Sequence, residues 1–144
     1  MRKVNRSALV PYSAAQMFSL IIDVEAYPSF LPWCHGAEVH IRETEFIEAS
    51  LELRRANISK RFRTRNRFQE NEFLGIELVG GPFRHMSGGW TFQQLGEAGC
   101  KVELTLEFEF ESRATDAIFG RFFEHTCNAL VDSFSRQAAK IYAG

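Results

Sequence analysis

The stretch ATDAIFGRFFEHTCNALVDSFSRQAAKIYAG, Ala114 to Gly144, dictates how the rest of the chain must be arranged. It holds no Pro, and its only glycines are Gly120 and the terminal Gly144. Ile118, Phe119, Phe122, Phe123, Thr126, Leu130, Phe134, Ala138 and Ile141 recur at steps of three and four, the spacing of one helical face. Arg121, Glu124, Asp132, Arg136 and Lys140 fall on the other side. Thr115 or Asp116 is expected to cap the start, and Arg136 and Lys140 suit the negative end of the helix dipole. At about 1.5 Å per residue such a helix runs roughly 40 Å, too long for a local packing unit. Its four phenylalanines are expected to face inward and to need a large cover.

The cover is legible upstream. Ile47, Ala49, Leu51 and Leu53 alternate with Glu48, Ser50, Glu52 and Arg54. Phe62 and Phe68 alternate with Arg61, Arg63, Arg65 and Arg67, and Val102 to Phe110 alternate with Lys101, Glu103, Glu107 and Glu109. Each run has the one-face-buried pattern of an antiparallel strand. Phe73–Val79 and Phe83–Leu95 supply two more, with turns at Gly80-Gly81-Pro82 and Glu97-Ala98-Gly99. Lys3–Val10 reads as a first short strand. Ser13 with Gln16 forms a capping-box pair before a short helix through Met17, Phe18, Leu20 and Ile21, which ends near Val24. Tyr27-Pro28-Ser29-Phe30-Leu31-Pro32-Trp33-Cys34 reads as a rigid apolar loop. With no repeat or linker, residues 1–144 form a single domain of α+β class, helices on one side of an antiparallel sheet.

Composition narrows the functional classes. Phe is over-used, 14 residues against three Tyr and two Trp, which leaves open a thick core or an apolar ligand cavity. A net charge of −1 gives no global attraction to nucleic acid or anionic membrane, and no DNA partner is expected. Cys34, Cys100 and Cys127 are odd in number and lie far apart, without metal-ligand spacing, so a reducing, cytoplasmic setting is expected and no metal site. Pro11, Tyr12, Ser13 and Gln16 break the apolar run after Arg2 and Lys3, so no cleaved signal peptide is expected. His35, His40, His85 and His125 have no partner at metal or relay spacing, and no nucleophile elbow or carboxylate pair occurs. No catalytic residues are assigned, and a binding protein rather than an enzyme is expected.

Three local signatures carry a resemblance: Asp23-Val24-Glu25-Ala26-Tyr27-Pro28-Ser29-Phe30-Leu31-Pro32-Trp33-Cys34, Thr64-Arg65-Asn66, and Gly81-Pro82-Phe83 leading to Gly88-Gly89-Trp90-Thr91-Phe92. With them the chain resembles the START (SRPBCC) superfamily, in the branch of coenzyme Q-binding START-domain proteins and ribosome association toxins, often labelled polyketide cyclase/dehydrase. The resemblance implies a helix-grip fold: a curved antiparallel sheet of about six to seven strands around the long C-terminal helix, with two short helices after the first strand. It implies an internal cavity walled by Leu51, Phe62, Leu78, Trp90, Phe92, Leu106, Phe108, Phe119 and Phe123. A two-residue turn at Ala56-Asn57 sets Leu51 opposite Phe62 and turns Asn66 inward, either to orient a ligand or as a satisfied core residue. Tyr27, Phe30, Leu31 and Trp33 would form the cavity mouth or a packing plug.

Two binding functions follow from the resemblance. One is non-covalent carriage of a hydrophobic small molecule, a ubiquinone-like isoprenoid quinone or a lipid, in support of respiration, with at most peripheral membrane contact. The other is association with the large ribosomal subunit, which blocks subunit joining and translation initiation. A polyketide cyclase stands third. Arg61, Arg63, Arg65 and Arg67 share one outer face and form a candidate polyanion or RNA site. The same register sets Glu52 opposite Arg61 and Glu48 opposite Arg65, leaving Arg63 facing Ser50. Exposed pairs of this kind contribute only about 0–1 kcal/mol each, so stability alone is a weak reason for the row.

Overall fold

The computed structural model describes residues 1–142; the sequence reading carries the long helix to Gly144, and Ala143 and Gly144 lie outside the described residues. In chain order the elements are β1 (Arg2–Val10), α1 (Ala14–Ile22), a 3₁₀ helix (Val24–Ser29), β2 (Cys34–Arg42), β3 (Phe46–Arg55), β4 (Ile58–Gln69), β5 (Phe73–Gly80), β6 (Phe83–Leu95), β7 (Gly99–Phe110) and α2 (Arg113–Tyr142). The seven strands form one antiparallel sheet in the order β1-β7-β6-β5-β4-β3-β2. This is the helix-grip arrangement, with α2 lying in the sheet's concave face.

Period-two alternation places the strand faces as expected. Leu51 pairs with Phe62, Ala49 with Thr64 and Ile47 with Asn66, around the turn at Ala56, which has φ 52°. The sheet curves hard at β6, where Gly88 (φ +147°) lies against β7. A Cβ there would sit 2.1 Å from the Thr105 carbonyl oxygen, so only glycine fits.

The α2 face that meets the sheet is Phe119, Phe123, Cys127, Val131, Phe134 and Ala138, all buried. Three details of the helix differ from expectation. Ser112, not Thr115 or Asp116, is the cap: its Oγ accepts from the Thr115 N–H at 3.1 Å. Ile118 and Ile141 are 39% and 52% exposed, because the apolar stripe at 3.6-residue period passes between them. Phe122 turns away from the core, half-buried beneath the Arg55 guanidinium at 5.5 Å.

The helix is tied down on both flanks. Arg2 of β1 bridges Asp116 (3.0 Å) and Glu124 (2.7 Å), and Arg6 donates to Asn128. The absence of a side chain at Gly120 lets this bridge cross the helix: an added Cβ would lie 2.5 Å from an Arg2 nitrogen and 2.6 Å from an Asp116 oxygen. Arg55 of β3 donates to the Ile118 carbonyl at 2.6 Å, and the Tyr142 hydroxyl to the Gln16 carbonyl at 2.9 Å. On α1 the Ser13–Gln16 capping box is formed in both directions. The Pro28 segment is a 3₁₀ helix rather than a loop, since Pro fits a short tight turn that needs few donors.

Candidate functional site

The phenylalanine excess goes mainly into packing. At one end of the core Phe62, Phe83, Phe108, Phe110 and Phe123 meet with centroids 4.5–6.1 Å apart, mostly edge to face. At the other end Tyr27, Phe30 and Trp90 gather on Phe134 within 5.3–5.5 Å. Between them remains an apolar cavity of about 80 Å³. Ligand pockets for drug-sized molecules run to about 300–1,000 Å³, so this space does not hold an isoprenoid quinone without opening.

Of the anticipated wall and mouth residues, Tyr27, Trp33, Leu51, Phe62, Asn66, Trp90, Leu106 and Phe123 line that cavity. Six do not. Phe108 and Phe119 are fully buried in the aromatic cluster, Phe92 packs edge-on against Phe18, and Phe30 lies against Phe134. Leu31 is buried in the core, and Leu78 is half-buried beside Thr64, outside the cavity wall. Alternation told which side chains point inward; it did not tell which of them touch an empty volume. Val24, Ala49, Thr64, Leu74, Ile76, Met86, Cys127, Leu130 and Phe134 complete the wall, and of the α2 members the helical spacing marks Leu130 and Phe134 but not Cys127.

The polar groups in the cavity answer one another. Asn66 donates to the Gly75 carbonyl at 2.8 Å and accepts from Thr64 Oγ1 at 3.1 Å. The Tyr27 hydroxyl donates to the Ile21 carbonyl, and burial pushes its phenol pKa up. Burial also raises the Cys127 thiol and holds Cys34 at about 11, so neither supplies thiolate at neutral pH. On the outer face, the Ser87 hydroxyl and Glu107 both approach the same ring nitrogen of His85, at 3.2 and 3.4 Å. A proton relay needs serine and carboxylate on opposite nitrogens, so this trio is not one. Among the described residues no group of three or more His, Cys, Asp or Glu is placed to hold a metal, and no helix is long and apolar enough to cross a membrane.

The arginine row lies on the outer face, but its pairing differs from the straight-across reading. Glu48, 4% exposed, is clasped by both Arg63 Nε (2.9 Å) and Arg65 (2.6 and 2.9 Å). Arg63 is the diagonal neighbour of Glu48, within reach of so long a side chain. Arg61 passes over the small Ser50 to Glu38 at 2.5 Å rather than to Glu52, and Arg67 lies 3.8 Å from Glu77. The hydrogen bond from Arg65 holds the Glu48 carboxyl below its ordinary range, and that from Arg61 does the same for Glu38. Three carboxylates thus stand beside the four guanidiniums of the row.

A different basic surface lies where the β3–β4 turn approaches α2, lined by Arg54, Arg55, His35, His125 and Arg136. It is assembled from three distant segments and was not anticipated.

Comparison with known proteins places these features in context. Residues 10–135 match the family described as polyketide cyclase/dehydrase and lipid transport. The chain is 44% identical over 142 residues to the ribosome association toxin RatA of Vibrio cholerae, covering 99% of each chain. It is 28% identical over 140 residues to the mitochondrial coenzyme Q-binding protein COQ10 of Dictyostelium discoideum, covering 91% of this chain and 66% of that protein. In fold it resembles the Zhui aromatase/cyclase from Streptomyces sp. R1128, with TM-score 0.84 at 17% identity over 99% of this chain and 98% of that one.

Proposed function

The chain belongs to the polyketide cyclase/dehydrase and lipid transport family, and on that premise we propose that it acts as a ribosome association protein, binding the large subunit through its outer surface. The observation that carries the reading is the filled interior: about 80 Å³ remain between two aromatic clusters, and the polar groups beside that space are already bonded to one another. A domain with so little internal room works by what it presents outward. The near full-length likeness to a protein named for ribosome association supports the same reading.

The test is sedimentation of the purified protein with separated ribosomal subunits at low salt. The protein is expected to travel with the large subunit and not the small one. Protein that stays in the supernatant with both overturns the reading.

A second reading, carriage of a ubiquinone-like quinone or a lipid, draws on the apolar cavity wall and the likeness to a coenzyme Q-binding protein. It requires the wall to move, since the volume must grow several-fold to reach that of pockets for ligands of this size.

A further inference from the structure

The groove beside α2 gathers arginine and histidine side chains from three segments. Its volume is about 500 Å³. Arg54 and Arg55 enter from the end of β3, His35 from β2, and His125 and Arg136 from α2, yet no carboxylate lines it. That gathering of three arginines and two histidines sits on a chain of net charge −1. In the arginine row, by contrast, Glu38, Glu48 and Glu77 stand beside the guanidiniums.

The groove arginines bond only to neutral or imidazole groups. Arg54 donates to the Ala56 carbonyl at 3.3 Å and lies 3.4 Å from His35 Nδ1. Arg55 donates to the Ile118 carbonyl, and Arg136 lies 3.4 Å from Ser133 Oγ. Each guanidinium carries five N–H groups, so most of its donors remain available. Among the described residues no carboxylate lines the groove, so a bound polyanion would release counterions.

The floor is aromatic and low. Trp33 and Phe122 are half-buried, and α2 offers the small Ala129 and Ser133 between Phe122 and Arg136. At about 1.5 Å per residue those two ends lie roughly 21 Å apart along the helix. A cationic channel of that length with aromatic platforms is the usual arrangement for single-stranded nucleic acid, where phosphates meet arginines and bases stack on rings. An anionic lipid would also satisfy the charge, and Trp33 is shared with the inner cavity. That cavity, at about 80 Å³, has no room for an acyl chain behind a bound headgroup.

We infer that this groove is the RNA contact of the domain: unpaired RNA lies along α2, with phosphates on Arg54, Arg55 and Arg136 and a base against Trp33, while the Phe122 ring seats the Arg55 guanidinium. The identity of the biological RNA rests on the ribosomal reading above; the groove's chemistry does not.

The experiment is fluorescence anisotropy with a labelled twelve-nucleotide oligouridine over a salt series, run beside large-subunit sedimentation with the same variants. The wild type is expected to bind the oligonucleotide with an affinity that falls as salt rises. Arg136→Gln, on the exposed side of α2, is expected to weaken it several-fold and to lower the salt slope by roughly one. Arg55→Glu is expected to cost more than tenfold, and Phe122→Ala about fivefold, because the Phe122 ring holds the Arg55 guanidinium in place. Arg84→Gln, outside the groove, is expected to stay within about twofold. Circular dichroism melts identify any variant that fails to fold, and Arg136→Gln keeps the test open because its side chain supports no core contact. Oligonucleotide binding that ignores Arg136→Gln, or is absent in the wild type, overturns the inference, as does Arg136-dependent binding to phosphatidylglycerol vesicles in place of RNA. Large subunits that bind wild type and groove variants equally overturn it too, while leaving the ribosomal reading standing. Groove-dependent oligonucleotide binding without subunit association supports the inference and removes the ribosomal reading.

Discussion

Glu48 sits on the solvent side of β3 but is almost entirely covered, because Arg63 and Arg65 fold over it from β4. Its carboxyl is held below its ordinary range, first by the Arg65 hydrogen bond. A depressed native pKa means that the native state binds fewer protons than the unfolded chain near pH 4. The stability it adds is therefore present above the unfolded carboxylate value of about 4.3 and is lost as pH falls through the native value. Glu48→Gln is expected to lower the urea midpoint at pH 7, since two arginines lose their counter-charge. It is also expected to flatten the fall in that midpoint between pH 5 and 3. Parallel midpoint-versus-pH curves for the two proteins would show that Glu48 is not linked to folding. The strand register, read from the sequence, correctly set Glu48 across from Arg65. It missed Arg63 because counting pairs straight across ignores how far a guanidinium reaches along a diagonal.

At the scale of elements, the strands and α2 were legible because burial imposes a period on each of them. What stayed hidden depended on contacts distant in sequence. Nothing local announces that Gly120 leaves room for an Arg2–Asp116 bridge arriving from the other end of the chain. Nor does alternation separate Leu106, which borders the cavity, from Phe108, which is sealed among other rings. The remaining void between β3 and α2 supports a prediction. Ala49 is 2% exposed and lines it, so Ala49→Val places two methyl groups in empty space on a residue suited to a strand. Thermal unfolding is expected to show a gain of about 1 kcal/mol, as cavity filling commonly gives. Sedimentation with large subunits is expected to be unchanged. Loss of subunit association in a stabilised Ala49→Val protein would mean that the cavity, not the surface, carries the function.

For the whole molecule, the two compositional clues separate. The phenylalanines, which leave open either a core or a ligand chamber, are mostly core. The conspicuous arginines, spaced every second residue, stand beside carboxylates on the same face. A separate gathering of arginines and histidines forms where residues 33–35, 54–56 and 122–136 converge, a juxtaposition that no local motif encodes. The proposed docking of this filled helix-grip domain on the large ribosomal subunit can be tested directly. The most direct measurement is a sucrose gradient of purified large and small subunits mixed under conditions that favour joining, with increasing amounts of the protein added. The account predicts that the joined-ribosome peak falls in proportion to added protein, with free subunits rising and the protein migrating with the large one. An unchanged peak, with the protein left at the top of the gradient, would contradict it.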